Sequence, residues 1–347
     1  MTAQNPDRIS RQRRPVKVAL LRKSRGILSW SDDLQDGFSQ IGVETLVSSF
    51  RPSSLAERVN DWQGNGKLFD NPATLRRIVS ELGHFAPDLV IALNYPGLPD
   101  RFHAALRAAL PGNTPIVGWL CDRIDSFPQA YEPCFDGVYY FDSSCLPALA
   151  AAYGSTGTLF SFLPLAASPS RYPDLGIPAG SRIPRLLFAG NCTPDRQSIF
   201  RKCRALGMPL DLYGPHAGNF PMIWRNRKFR SSTLARLYQQ YACNLNPLQS
   251  GNTTCGLNMR AFEIPCTGGL ATYPFVEDLP RCFSPGTEII AYHSLEELAD
   301  HFTRAISNPD FADSIARAGH ARVMGEHTFR HRAERFIADW QENHRHS

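Results

Sequence analysis

The sequence predicts an α/β protein of two units, each a parallel sheet with helices on both faces, closed by a helical tail. Three observations carry this expectation. Strand-length apolar runs alternate with segments of 3.6-residue periodicity along most of the 347 residues. A proline-bearing stretch without periodicity, Pro164 to Arg185, interrupts the alternation, which restarts at Leu186. From Ser294 onward the pattern is purely helical. The length itself suits two domains of roughly 100 to 200 residues.

Each element follows from local pattern. Val16 to Leu21 is a β-rich run behind Pro15, and Leu34, Phe38 and Ile41 then repeat at helical spacing over Asp32 to Ile41. A strand over Val43 to Val47 precedes a helix over Pro72 to Leu82, whose apolar face is Leu75, Ile78, Val79 and Leu82. Next come a buried strand Leu89 to Leu93, a helix Pro99 to Leu110, and strands Ile116 to Leu120 and Gly137 to Phe141. After the interruption the expected order is strand Leu186 to Ala189, helix Arg196 to Leu206, strand Leu210 to Tyr213 and helix Thr233 to Tyr241. Strand Cys243 to Asn246, helix Leu257 to Cys266 and strands Leu270 to Tyr273 and Ile289 to Tyr292 follow. Helices Ser294 to Ser307, Phe311 to Met324 and Arg330 to Asn343 complete the chain. Repeated β-α alternation implies parallel pairing, because a parallel connection needs a crossover. The chain divides on this basis into a basic arm (1–15), a first Rossmann-like domain (16–166), a linker (167–185), a second such domain (186–325) and a C-terminal helix (326–347).

Composition excludes several classes. The longest apolar runs fall far below the roughly 18 to 20 residues of a membrane span. The arginines of Arg8 to Arg14 are not followed by an apolar h-region, so the start does not read as a signal peptide. Nine cysteines are scattered singly without a CxxC pair, which points to a reducing cytoplasm and against a zinc site or a disulfide framework. The net charge of +5 suits an anionic ligand and is too small to argue for nucleic acid.

In an open parallel sheet, ligands bind beyond the carboxyl ends of the strands. The loops to inspect are therefore Gly190 to Arg196, Tyr213 and Gly214 through His216, and Asn246 to Asn258. The last brings Ser250-Gly251-Asn252-Thr253-Thr254-Cys255-Gly256 up to a helix, a small-residue approach that lets backbone N–H groups near a phosphate. Asn191 and Arg196 suit a phosphate next to the first strand of this unit, against the ordinary alternatives of a turn and a solvated arginine. Glu263, in the apolar helix segment Ala261 to Pro265, requires a partner such as ribose hydroxyls or a buried arginine. Asp122 follows a buried strand and is either a cleft-facing base or acceptor contact, or a helix N-cap. Three other patterns read as surface: Gly64-Asn65-Gly66-Lys67 lacks Walker spacing, His327 and His331 lack further metal ligands, and Arg225 to Arg230 is a basic loop able to meet acidic headgroups. No metal ligand set is evident.

Several blocks then carry a family resemblance. Asn258-Met259-Arg260-Ala261-Phe262-Glu263-Ile264-Pro265-Cys266-Thr267-Gly268-Gly269, Ser294-Leu295-Glu296-Glu297-Leu298 and Ala318-Gly319-His320-Ala321-Arg322-Val323 resemble the C-terminal domain of the CgeB-like glycosyltransferases, a group named for a spore maturation protein. The first half is less distinctive, with Trp119 to Asp122, Phe135 to Val138 and Leu163 to Ala166 similar to the same family. The resemblance implies a GT-B fold, two Rossmann-like domains facing each other across a cleft with the C-terminal helix crossing back to the first, and a retaining transfer of a hexosyl group from a nucleotide-diphosphate sugar. Asp122-Arg123-Ile124-Asp125 does not have DxD spacing, so no obligatory metal or other cofactor is expected. The acceptor, unidentified, would enter from the N-terminal side. It implies that Glu263 holds the ribose and that amides near Gly256, Leu257 and Asn258 meet the diphosphate. Asn191, Arg196, Tyr213, Gly214, Asn246 and Arg260 complete the expected donor site, and Arg260 and Asp122 are the expected catalytic pair. Relatives often carry an acid eight residues before the glutamate, where this chain has Cys255. Two other readings stay open: a non-catalytic GT-B protein of surface or envelope assembly, and a sugar-nucleotide epimerase.

Overall fold

Short runs rich in branched and aromatic residues become strands here because both of their faces find helices to pack against. The computed structural model describes residues 14–22, 28–54, 57–58, 71–123, 133–154, 156–214, 223–224, 230–248 and 251–345. The first sheet holds β1 (Lys17–Arg22), β2 (Glu44–Ser49), β3 (Leu89–Leu93), β4 (Ile116–Leu120), β5 (Gly137–Tyr140) and β6 (Leu159–Phe162) in the order β2-β1-β3-β4-β5-β6, all parallel. Every residue of β3, β4 and β5 is buried, as expected of central strands covered on both faces. The second sheet holds β7 (Ile183–Ala189), β8 (Leu210–Tyr213), β9 (Ile223–Trp224), β10 (Tyr241–Leu245), β11 (Ala271–Pro274) and β12 (Ile290–Tyr292) in the order β12-β11-β10-β7-β8-β9, again all parallel. This is the Rossmann order, whose direction reverses between β7 and β10. In the first sheet the reversal lies between β1 and β3. Crevices open at the carboxyl ends of strands at these two points.

Helices α1 (Leu28–Gln40), α2 (Pro72–Phe85), α3 (Asp100–Ala109) and α4 (Leu146–Tyr153) belong to the first unit, and α5 (Pro194–Ala205), α6 (Ser231–Gln240), α7 (Arg260–Cys266), α8 (Leu279–Cys282), α9 (Leu295–Ser307) and α10 (Pro309–Glu326) to the second. The final helix, α11 (Phe329–Arg345), lies against α1 on the first sheet. Its Phe336 ring meets Tyr139 at 4.6 Å, Trp119 at 5.7 Å and Phe38 at 6.4 Å between centroids. Gly37 makes the approach feasible, since a Cβ there would sit 2.5 Å from the Phe329 carbonyl oxygen.

Two stretches of chain cross between the units side by side. Ala167 N–H donates to the His327 carbonyl (2.9 Å), and Phe329 N–H donates back to Ala167 (3.2 Å). Buried Arg332 ties the pair together, donating to Pro164 O and Leu165 O at 2.7 Å each. His327, expected on a helix surface, is buried here: it contacts the Cys282 carbonyl through Nε2 (2.8 Å) and Arg332 through Nδ1 (2.9 Å). Burial and the Arg332 charge push its imidazole down to about 3, so it stays neutral. One apolar cluster runs through this junction from Leu20 and Trp119 to Phe262, Phe283 and Phe336, so the two units share a core.

Four elements escaped the sequence reading: α4, β6, α8 and the two-residue strand β9. Strand β7 begins at Ile183, three residues early, because parallel pairing with β10 at Tyr241 extends it over exposed residues that carry no apolar signal. All nine cysteines are free thiols. No helix among the described residues is long and apolar enough to cross a membrane.

Candidate active site

The carboxyl ends of the two sheets face one another across a cavity of about 310 Å³. The first unit contributes Trp30 of α1, Cys121 and Asp122 beyond β4, Phe141 beyond β5, and Leu165. The second contributes Asn191 and Arg196 beyond β7 and, beyond β10, Asn252, Thr253, Asn258, Met259, Arg260 and Glu263.

Arg196 is buried one turn into α5, where Nη1 reaches Asn191 O (3.1 Å) and Nη2 reaches Pro247 O (3.3 Å). Its Nε is buried without a hydrogen-bond partner. Arg260 enters from α7, and its Nε donates to Asn246 Oδ1 (3.1 Å). Asn246 and Asn258 exchange side-chain hydrogen bonds at 2.9 and 3.0 Å, which locks the acceptor that Arg260 uses. The two guanidiniums share one aromatic ring, with Cζ atoms 5.4 Å (Arg196) and 5.5 Å (Arg260) from the Phe188 centroid. Neither has a carboxylate oxygen within ion-pair distance among the described residues. Burial and the Arg260 charge both push the Arg196 guanidinium downward from its usual range. Two like charges held together in a partly buried site favour an anionic ligand between them.

Glu263 lines the cavity and is half-buried. Tyr172 donates a hydrogen bond to it, and burial lifts its carboxyl to about 7 despite the Arg260 charge. Asp33, also raised by burial, adds to that lift, while Arg171 holds Asp33 through a direct ion pair. Tyr172 lies in the connecting stretch, where no periodicity marks it, and its contact with Glu263 is purely tertiary.

On the opposite wall, Asp122 is held by Asn94. The Asn94 side chain donates to Asp122 Oδ2 (2.7 Å) and accepts from Cys121 N–H (3.0 Å). Asn94 is buried at the end of β3 with φ 61°, a left-handed conformation that asparagine tolerates better than most residues. A polar residue closing an all-apolar strand was the available signal for it. The alternative role for Asp122, an N-cap, concerns residues 124–132, which lie outside the described residues, as does Asp125.

The remaining expected donor residues lie elsewhere. Tyr213 turns its hydroxyl to Tyr241 (3.0 Å). Gly214 packs on the backbone of Gly190, a contact that a Cβ would block. Leu257 is buried in the core. Gly256 packs against the first unit, where a Cβ would stand 2.7 Å from Phe141 O. Helix α7 starts only at Arg260, three residues later than the periodicity suggests, because residues before it are committed to other partners: Asn258 N–H donates to Tyr273 Oη (3.0 Å). That amide is therefore not available to a diphosphate in this conformation. The arm 1–13, Gly64 to Lys67, Pro215 and His216, Ser250 and the basic stretch 225–229 lie outside the described residues. Among the described residues no three metal-binding side chains converge.

Comparison with known proteins agrees with the fold. Residues 196–338 match the family model described as glycosyl transferase-like. No curated protein matches the chain. Among solved structures, sucrose-phosphate synthase from Thermosynechococcus elongatus superposes with a TM-score of 0.65 at 13% identity, covering 96% of this chain and 100% of that one. A glycosyltransferase from Rickettsia africae gives 0.67 at 10% identity, covering 95% and 99%. The Anabaena protein HepE, solved in complex with UDP, gives 0.59 at 14% identity, covering 94% and 100%. The chain thus has the GT-B fold, and its residues 196–338 are similar to the glycosyl transferase-like family.

Proposed function

We propose that this protein transfers a hexosyl group from a nucleoside-diphosphate sugar to an acceptor that enters from the first unit, and that it belongs to the CgeB-like branch with a retaining outcome. The observation that carries the reading is the Arg196 and Arg260 pair, two guanidiniums that face one cavity at a Rossmann reversal point with no direct ion pair to a carboxylate among the described residues. A diphosphate is the anion that suits them. As the sugar–phosphate bond breaks, the departing diphosphate takes the electron pair, and the two guanidiniums stabilise that charge without a metal ion as an obligatory part. Glu263 accepts the ribose hydroxyls in place of Tyr172. The acceptor hydroxyl oxygen bonds to the anomeric carbon and passes its proton to Asp122, which Asn94 aims. The branch assignment rests on the resemblance over residues 258–269, 294–298 and 318–323. The nine free thiols favour a cytoplasmic setting.

The test is calorimetry and thermal shift with UDP, GDP, dTDP and CMP on the intact protein and on Glu263→Ala. One nucleoside diphosphate should stabilise the wild type and lose affinity in the variant. Absence of binding by every nucleotide, with and without divalent metal, would remove the transferase reading and favour the non-catalytic one.

A further inference from the structure

The loop that carries the second unit's side of the cavity is gripped by a carboxylate from the first unit. Asp142 follows β5 and is fully buried. Within its own unit it accepts from Ser144 N–H (3.0 Å) and Ser144 Oγ (2.6 Å). Across the junction it accepts from Thr253 Oγ1 (2.9 Å), Thr254 N–H (2.6 Å) and Cys255 N–H (3.2 Å to each oxygen). Gly256 N–H adds a further donor. Consecutive backbone amides curled around one anion form the kind of nest that elsewhere holds a phosphate. Here the protein fills that nest itself, so the small-residue loop that the sequence suggests as a phosphate cradle has another partner. Burial opposes the charge of Asp142, yet the donors outweigh it and hold the carboxyl below its usual range.

A second acid crosses the same junction in the opposite direction. Asp278 of the second unit, also buried, accepts from Ser143 N–H at 2.7 Å. Its own N–H donates to Cys255 O (3.3 Å), so the two clasps share the loop 253–256. Downstream of that loop, Asn258 and Arg260 line the cavity, and within and beside it so do Thr253 and Asn252. Asp142 itself does not line it.

We propose that Asp142 is a positioning residue of the donor site, supplied by the opposite domain. Its carboxylate holds residues 253–256, and through them Asn258 and Arg260, in the geometry that receives the nucleoside diphosphate. Full grip on the donor then requires the two domains to be docked. This inference rests on the donor-site reading above.

The experiment uses UDP as the probe, with whichever diphosphate binds best in the nucleotide panel substituted if UDP is not that one. Affinity and hydrogen exchange over residues 251–260 are measured for the intact wild type, Asp142→Ala, Thr253→Val and the double variant. Expected results are an affinity loss of about tenfold or more in Asp142→Ala, faster exchange confined to residues 251–260, and non-additive losses in the double variant. Thr253→Val keeps the test alive if Asp142→Ala does not fold, because it removes the hydroxyl shared between Asp142 and Gly256 O (2.7 Å) and leaves the carboxylate with its backbone partners. Wild-type affinity in a folded Asp142→Ala with loop protection lost would overturn the proposal, as would additive losses. If no nucleotide binds the wild type, the donor-site reading fails instead, and the exchange data still report whether Asp142 orders the loop.

Discussion

Arg196 and Arg260 reach the same cavity from two different helices and both stand against the ring of Phe188, so their charges are brought together by the fold. Neither has a carboxylate oxygen within ion-pair distance among the described residues, although Arg260 acts on the Glu263 carboxyl through space.

Removing one of these charges should cost binding and not folding. Arg196→Met is expected to leave the ligand-free stability within about 1 kcal/mol of wild type, since relief of repulsion offsets two lost hydrogen bonds. Affinity for the bound nucleoside diphosphate should fall about tenfold to a hundredfold. Calorimetry combined with urea denaturation checks both. Unchanged affinity would show that the pair does not serve an anion.

Glu263 makes stability depend on pH in a defined direction. Its carboxyl sits near 7 in the folded protein and at about 4.5 when unfolded. The unfolded state therefore ionises first, and stability attributable to this group declines as pH rises from about 4.5 to 7, then stays constant. Glu263→Gln should be close to neutral at pH 4.5 and stabilising above pH 7, by something on the order of 1 to 3 kcal/mol. Denaturation curves at the two pH values measure it. An equal effect at both would contradict the raised titration.

Asn94 combines a strained backbone with a positioning side chain, and two variants separate them. Asn94→Ala loses both hydrogen bonds and retains the left-handed strain, for about 2 to 3 kcal/mol. Asn94→Gly relieves the strain and should cost about 1 kcal/mol less. If the two variants are equally stable, the φ of 61° is not a source of strain.

Two glycines of one loop make contrasting predictions about the domain junction. A Cβ on Gly256 would meet Phe141 O at 2.7 Å and Asp142 Cβ at 2.8 Å, so Gly256→Ala should push the units apart and cost about 1 to 3 kcal/mol. Gly251 has φ +90° and open space around it, so Gly251→Ala should cost about 1 kcal/mol from backbone strain alone. Small-angle scattering should report an expanded particle for the first variant only.

What the sequence determined by itself was the periodic part of the molecule. Alternation of apolar strands with helices, and the long helical close, follow from local spacing, because each strand and helix must bury one face and the residues that do so recur at fixed intervals. Arg196, Arg260, Glu263 and Asp122 were legible as candidates because they are polar residues at strand ends or inside apolar helices, and the cavity brings these four together. The tertiary structure alone decided their surroundings. Tyr172 on Glu263, Asn94 on Asp122 and Asp142 on the 253–256 loop join residues distant in sequence. No local period encodes such contacts, and the start of α7 moved to Arg260 for the same reason. His327 shows the limit most plainly: helical spacing put it on a surface, and the docking of two domains buried it.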